Sequence, residues 1–388
     1  MEREGTSTES ASTVADQVNR ASAVVAGVGL SVVAVAAFLV LPVVVGAAVG
    51  SLGLNEQQVG FVASGIMAGS ALSSIFTIFW IRRVDWRRAG CVALGLLLAG
   101  HMGAMFTDTA MLFALCQFTA SLGGGAAYSL ALTSLSDHRH PDRCFGYSIA
   151  AQVSFQVIGM LALPELVSYW GMTGLLAVFS AMALAGLLLL GLLPRSGADV
   201  VHQPVGRSLL RPRVLAALFG CFFFFFNVGV VWTYIERIGA AAGFDAGTIG
   251  NSLAIGVAFG IPGALAASWC GNRLGRLLPL AIGAALVVAA LVLLLEEGLA
   301  TNSYILALVL YNFAWNFSLA FQYAAVNAAD ETGRSVALAP AFHGAGGAVG
   351  PAVAALLVTT DGLTAVSLLA GLATLLSLVL FVLATRRA

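Results

Sequence analysis

Lysine is absent from the chain, and charge of either sign is scarce. Charged residues make up 9% of the 388 positions, against roughly a quarter in ordinary soluble domains. The 18 basic residues, all arginine, are balanced by 18 acidic ones. That balance gives no reason to expect nucleic-acid binding or a polybasic membrane patch. Cysteine is sparse as well: Cys91, Cys116, Cys144, Cys221 and Cys270 lie far apart, each within or at the inner end of an apolar run. Such spacing excludes a secreted disulfide framework and a CxxC metal site, and neither a metal nor another cofactor is expected. No GxxxxGK[ST] phosphate loop occurs, and no polar loop is longer than the stretch from 194 to 213. Any work the protein does must therefore draw on a gradient or on its substrate. The polar N-terminus, MEREGTSTESASTVADQVNR, lacks the basic region, short apolar core and small-residue cleavage site of a signal peptide. Residues 1–20 are expected to form a disordered cytoplasmic tail.

What the chain has in excess is apolar surface, 60% hydrophobic residues with a mean hydropathy of +0.96. A water-soluble core could not hide that much. Crossing the hydrocarbon of a bilayer takes about 20 apolar residues in a helix, and cutting the sequence at its charge clusters leaves twelve such runs. They are spans 1 to 12, near 24–50, 59–81, 89–106, 110–134, 145–165, 171–193, 214–237, 248–270, 277–295, 303–327, 335–359 and 363–385. Arginine placement checks this count, because cytoplasmic loops collect the positive residues. With the N-terminus inside, every arginine except Arg237 falls in an inner segment. An odd span count would scatter them over both faces. The expectation is a multi-pass protein of the inner (plasma) membrane with both termini cytoplasmic.

The sequence also repeats itself. SFQVIGMLALP at 154–164 and AFHGAGGAVGP at 341–351 align Phe155 with Phe342, Gln156 with His343, Gly159 with Gly346 and Pro164 with Pro351. Upstream, Gly146, Ser148 and Ala150 match Gly333, Ser335 and Ala337 at the same offset. A second echo aligns GLNEQQVG at 53–60 with GFDAGTIG at 243–250, and places Asn55 and Asp245 where a helix N-cap belongs. Span 5 thus corresponds to span 11, and spans 1 and 2 to spans 7 and 8. Six spans separate the copies, so both halves cross in the same direction. The resulting organisation is a tail (1–20), an N-terminal six-helix bundle (21–193), a cytoplasmic linker (194–213) and a C-terminal six-helix bundle (214–388).

An all-α membrane protein of two parallel six-helix halves resembles the major facilitator superfamily over nearly its whole length. That resemblance implies transport by alternating access, with a substrate site between the halves near the bilayer midplane. It also implies cytoplasmic gating loops after spans 2 and 8, where the family usually reads Gly-x-x-x-Asp-Arg-x-Gly-Arg. Here SWCGNRLGR keeps Arg273, Gly275 and Arg276 but has Ser268 and Asn272 at the glycine and acidic positions. FWIRRVDWRR keeps only the basic character, with Asp85 displaced in register beside Arg87 and Arg88, so the ion-paired latch of the family is altered. Span 4 departs too: Gln117 stands about where drug-extruding proton antiporters of the superfamily carry a buried arginine. The Gly-Pro pattern of spans 5 and 11 resembles the bending helices of the family, which assigns Pro164, Gly346, Gly350 and Pro351 to helix bending.

Polar residues near mid-span cannot face lipid without leaving hydrogen-bonding groups unsatisfied, at several kcal/mol each. Counting about 1.5 Å per residue selects Gln152 and Gln156 on span 5, Asn227 on span 7, Asn312, Trp315 and Asn316 on span 10, and His343 on span 11. Asn312, Asn316, Tyr323 and Asn327 share one face of span 10. Each amide could be glue between helices or the lining of a cavity, and Trp315 and Tyr323 could stack on a ring-shaped solute or merely pack. His343 can titrate near neutral pH, or rest as a neutral imidazole satisfied by a neighbouring helix. Glu236 is the most suggestive carboxylate, since intramembrane acids mark ion or proton paths. On a straight helix, however, it reaches the outer interface beside Arg237, where the two could form a hydrated pair.

These residues point to a secondary transporter of a small organic solute, with Gln152, Gln156, Asn227, Asn312, Trp315, Asn316, Tyr323 and His343 binding substrate. Glu236 and His343 would couple protons. The nearest alternative is an uncoupled facilitator of a neutral polar solute. A membrane enzyme would need a convergent catalytic set that the spans do not offer, and a non-transporting sensor would need a signalling domain or tail. Apart from Arg237 at an outer helix end, no basic residue lies within a span, which favours a neutral or weakly charged, hydrogen-bonding substrate. The expected partners are the lipid bilayer, the solute and protons, with no nucleic acid and no second copy.

Overall fold

The structure, a computed structural model, describes residues 17–197, 211–271, 273–330, 335–358 and 363–385. Most of the expected tail and of the linker lie outside them. The described residues form helices α1 (Ala21–Leu39), α2 (Leu41–Leu52), α3 (Glu56–Trp80), α4 (Trp86–Ala104), α5 (Ala110–Ser136), α6 (Pro141–Leu189) and α7 (Pro212–Ala241). They continue as α8 (Ala246–Ala258), α9 (Gly260–Cys270), α10 (Leu277–Leu293), α11 (Thr301–Ala329), α12 (Ala339–Leu357) and α13 (Thr364–Thr385). Between them they account for all twelve spans. Span 1 is α1 with α2, spans 5 and 6 together are α6, and span 8 is α8 with α9.

Each departure from one helix per span has a local cause. Span 1 breaks at Val40 (φ −110°, ψ 29°) and span 8 is disturbed at Phe259, whose angles stay in the right-handed helical region, two and three residues ahead of Pro42 and Pro262, because proline lacks the N–H that would extend the helix and its ring crowds the preceding turn. Inside α6, Gly171 adopts φ 60°, ψ −157° and separates span 5 from span 6, a conformation open to glycine. Backbone angles stay helical through Pro164 and Pro351. Helix starts follow the expected chemistry. Asn55 accepts from the Gln58 N–H at 2.9 Å while the Gln58 side chain accepts from the Asn55 N–H at 3.0 Å, a reciprocal capping box. At the matching place in the repeat, Asp245 accepts from the Thr248 N–H at 3.0 Å and from its hydroxyl at 2.6 Å. Those bonds hold the Asp245 carboxyl below its ordinary pKa. Asp85 likewise caps α4, accepting from the N–H groups of Arg87 and Arg88.

By packing, the described residues fall into two compact units. The first comprises the described parts of Met1–Leu39, Gly69–Phe155 and Met172–His202. Its core is built from Leu30, Trp86, Leu94, Leu97, Leu130 and Leu190 among others. Trp86 is fully buried and donates its indole N–H to the Ile81 carbonyl at 2.7 Å. Close by, Arg82 grips the Asp137 carboxylate through two nitrogens, the bidentate geometry that suits a guanidinium. Helices α4 and α5 approach until their backbones touch: a Cβ on Gly100 would meet Ala120, and one on Gly123 would meet the Ala93 carbonyl.

The second unit comprises the described parts of Val40–Ala68, Gln156–Gly171 and Gln203–Ala388. Its core gathers Val214, Leu218, Cys221, Leu280, Phe317, Phe321 and Phe381. Helices α7 and α12 run backbone to backbone, with Gly346 against the Phe222 carbonyl, Gly350 against that of Phe226, and Gly229 against Gly347. Close approach of this kind replaces the hydrophobic drive that lipid withholds. Two further crossings link the repeats in space. Gly60 on α3 sits against the Pro351 carbonyl of α12, while Gly250 on α8 sits against the Met160 carbonyl and the Pro164 ring of α6. Gly60 and Gly250 are repeat partners, and so are Pro164 and Pro351, so one contact recurs by pseudosymmetry.

Substituting Gly346→Ala is expected to force α12 away from α7 at a cost of about 1–3 kcal/mol. The thermal unfolding midpoint of the detergent-solubilised protein should fall by several degrees. Gly95→Ala, where an added Cβ meets nothing within 4 Å, should leave the midpoint unchanged or raise it, and a matching loss there would discount the close-approach account.

Candidate functional site

Most of the polar mid-span residues selected from the sequence belong to the second unit. Helix α12 carries His343, which is buried and whose Nε2 lies 3.0 Å from Gln322 Oε1 on α11. Its ring stacks on Phe225 of α7 with centroids 4.1 Å apart, and Tyr323 meets it edge-on at 5.5 Å. Phe225 in turn meets Trp315 at 6.1 Å, and Trp315 meets Trp232 at 6.1 Å. Five rings from α7, α11 and α12 therefore form one continuous ladder, Tyr323–His343–Phe225–Trp315–Trp232. Phe225, Trp315 and Tyr323 are only half-buried, which leaves parts of their surfaces open to contact. Such offset and edge-on pairs favour ring stacking over loose packing.

Around the ladder stand amides and hydroxyls. Asn312 is buried and donates to the Leu308 carbonyl at 2.9 Å, and Asn316 donates to the Asn312 carbonyl at 3.0 Å. Both amides thus return one hydrogen to their own helix and keep their remaining donor and acceptor capacity. Asn227 is fully buried, and its amide faces the buried Tyr311 hydroxyl closely enough for the two side chains to interact. Gln322 Nε2 is buried with no hydrogen-bond partner among the described residues. Buried polar groups short of a hydrogen bond are uncommon, and Asn227, Tyr311 and Gln322 lie on α7 and α11. Gln156 is buried in the same unit.

Gln152 belongs to the first unit. There it donates to Ser148 Oγ at 2.9 Å and to Ser31 Oγ at 3.5 Å, and those two hydroxyls are 2.7 Å apart. Gln117 and His101, also in the first unit, pair with each other at 3.2 Å.

The candidate carboxylate has more company than its sequence neighbours suggest. Arg237 bonds Glu56 on α3 through Nε at 3.0 Å and lies 3.9 Å from Glu236 Oε2. The Glu236 side chain is 16% exposed and packs onto Gly46 of α2, where a Cβ would collide with its carboxyl. One oxygen of Glu56 and one of Glu236 are buried without a hydrogen-bond partner among the described residues. Nearby, Tyr234 donates to the Glu56 carbonyl at 2.8 Å. Helices α2, α3 and α7 therefore meet at a group of two acids and one arginine.

The loop residues occupy ordered places. Asp85 caps α4, while Arg87 donates from Nε to the Leu193 carbonyl at 2.7 Å. Arg88 is exposed, and Arg273 lies over the Trp269 ring at 5.5 Å. Arg276 is exposed and sits at the start of α10.

Sequence reasoning missed Phe225, Gln322, Tyr311 and Glu56. Phe225 was hidden in the run Phe222–Phe226, where one ring looks like another. Gln322 lies off the Asn312–Asn316–Tyr323 face by one residue, and Glu56 reads as an ordinary first-turn acid of α3.

In sequence, a model of the family described as Major Facilitator Superfamily matches residues 22–339. No curated protein matches the chain. Among solved structures, the nucleoside transporter NupG superposes with a TM-score of 0.74 at 13% identity, covering 96% of this chain and 100% of that one. A bacterial homologue of the human drug peptide transporters PepT1 and PepT2 gives a TM-score of 0.73 at 14% identity, covering 94% and 97%. An inward-facing bacterial homologue of the human lysosomal transporter Spinster gives 0.64 at 12% identity, covering 96% and 95%.

A ring-bearing solute that docks on the ladder should quench the fluorescence of Trp315. The quench should disappear in Trp315→Phe and persist in Trp170→Phe, whose ring is exposed. Equal quenching in both variants would detach the ladder from binding.

Proposed function

The chain belongs to the major facilitator superfamily, and on that premise we propose that it is a secondary transporter of a small, neutral or weakly charged, ring-bearing solute, driven by protons. The observation that carries this reading is the five-ring ladder bordered by buried amides with unused hydrogen-bonding capacity. Aromatic faces take up a flat ring, and amides and hydroxyls fix its orientation, which is the usual division of labour in a small-molecule site. Trp315, Tyr323, Asn227, Asn312, Asn316 and His343 are its proposed lining, with Gln156 contributed by span 5; Gln152, which bonds Ser148 and Ser31 within the first unit, is left out of it. The nucleoside transporter among the structural likenesses makes nucleosides a reasonable first class to test. At 13% identity that likeness speaks for the fold, and the ladder supplies the chemical argument.

Alternating access in this reading is a rocking of the two six-helix halves, 21–193 and 214–388, about spans 5 and 11. The Gly60–Pro351 and Gly250–Pro164 crossings are the contacts that would part when the outer side opens. Pro164, Gly346, Gly350 and Pro351 lie at or beside them, and Asp85, Arg87, Arg88, Arg273 and Arg276 are the proposed gating residues on the cytoplasmic side. Arginine placement supports a plasma-membrane protein with both termini inside.

Proton coupling is assigned first to Glu236. With both carboxylates ionised, Glu56, Glu236 and Arg237 carry a net negative charge in a poorly solvated place, and one proton on Glu236 removes it. Protonation also weakens the hold of Glu236 on Arg237, which ties a proton to the packing of α2 and α3 against α7. His343 is a second candidate, reached through Gln322.

In proteoliposomes, an inward pH gradient should drive accumulation of at least one solute from a panel of nucleosides, nucleobases and aromatic amino acids. Glu236→Gln should abolish accumulation while leaving exchange of labelled for unlabelled solute, and His343→Ala should weaken binding. Equilibration without accumulation in the unmodified protein would favour the uncoupled facilitator. Undiminished accumulation by the Glu236→Gln/His343→Ala double variant would remove both residues from coupling.

A further inference from the structure

At the arginine-rich end of the first unit, the start of α1, the start of α4 and the stretch Gly191–Arg195 enclose an open cavity of about 470 Å³. That volume is in the range of small-ligand sites, about 300–1,000 Å³. Three arginines line it, Arg20, Arg87 and Arg195, together with the Gln17 and Ser22 side chains, and none of its lining residues is acidic. Among the described residues the three arginines have no acidic partner. Arg87 gives its Nε to the Leu193 carbonyl at 2.7 Å, which fixes the guanidinium while leaving its two terminal nitrogens for another acceptor. No salt bridge to Arg20, Arg87 or Arg195 occurs among the described residues. The backbone around them is firmly held: the Trp86 N–H donates to the Arg195 carbonyl at 2.8 Å, and Leu193 and Trp86 are fully buried. Three guanidinium groups that line one cavity with no acidic partner among the described residues suit a phosphate, which a guanidinium binds through two nitrogens.

The surroundings of the cavity say which phosphate. Leu192, on one wall, is exposed, and Leu188 four residues earlier on the same helix face is 83% exposed. On the opposite wall Ser22 is followed three residues later by exposed Val25 on α1. Two apolar tracks thus run from the polar cavity along α1 and the end of α6, into the depth where lipid chains lie. A soluble anion would make no use of them, whereas a lipid would lay its acyl chains along both. We propose that the Arg20–Arg87–Arg195 cavity binds the phosphate of an acidic glycerophospholipid, with its chains along Val25 and Leu188. Basic pockets at the cytoplasmic ends of membrane helices suit such headgroups, and the cytoplasmic leaflet is rich in them.

The test uses full-length protein, purified and delipidated, with phosphatidylglycerol, phosphatidylethanolamine, glycerol 3-phosphate or inorganic phosphate added back. Native mass spectrometry should show phosphatidylglycerol retained under activation that strips phosphatidylethanolamine, and only phosphatidylglycerol should raise the thermal unfolding midpoint. In Arg20→Gln/Arg195→Gln, whose side chains are on the surface, retention should drop on the order of tenfold, the loss expected for two headgroup contacts. Arg83→Gln, exposed and outside the cavity, should retain the lipid as the unmodified protein does. Equal retention by the double variant, or equal stabilisation by phosphatidylethanolamine, would overturn the site. Stabilisation by inorganic phosphate or glycerol 3-phosphate as strong as that by the lipid would overturn the lipid assignment.

Discussion

Lipid offers a polypeptide no hydrogen bonds, and nearly everything in this structure answers to that deficit. Each backbone amide must find its partner within its own helix, so the spans are helical even where Pro164 and Pro351 interrupt the pattern of donors. The same solvent gives helices no hydrophobic reason to associate. Association rests on contact, and contact on glycine, as where Gly346 and Gly350 bring α12 onto the carbonyls of Phe222 and Phe226. A side chain at either place would hold the helices apart and weaken every dispersion contact along the seam.

The constraint that forces backbone groups inward also makes side-chain polarity informative. A polar atom kept deep in an apolar fold has to justify its cost through a partner or a ligand. His101 with Gln117, and Ser31 with Ser148 and Gln152, are complete knots of hydrogen bonds within the first unit. On α7 and α11, Asn227 faces Tyr311, and Gln322 turns one amide atom to His343 while its Nε2 has no hydrogen-bond partner among the described residues. The acids Glu56 and Glu236 around Arg237 form a third kind of polar group, in which balance of charge changes with a single proton.

Much of the architecture could be read from residue order. The arginine-bounded runs correspond to the observed helices, and the N-caps at Asn55 and Asp245 form as their repeat required. Both rest on local chemistry: helix length against bilayer thickness, and a short acceptor side chain three residues ahead of an orphan N–H. The breaks at Val40 and Gly171 and the disturbance at Phe259 were not anticipated. A proline within a long apolar run marks a disturbance without saying whether the helix bends through it, as at Pro351, or parts ahead of it, as at Pro42.

The sequence by itself determined that the chain crosses the membrane many times, that short patterns recur at nearly half its length, and that a few amides, one histidine and one acid lie in costly places. Those conclusions need only hydropathy, periodicity and offset, which are properties of residues taken one neighbourhood at a time. Tertiary structure alone decided that His343 answers Gln322, that Phe225 is the ring of its run that stacks on His343, that Glu56 comes to Arg237 from 181 positions away, and that Arg20, Arg87 and Arg195 line one cavity. Partners of this kind are chosen by the rotation and crossing of helices, and many sequences with identical hydropathy would set those rotations differently.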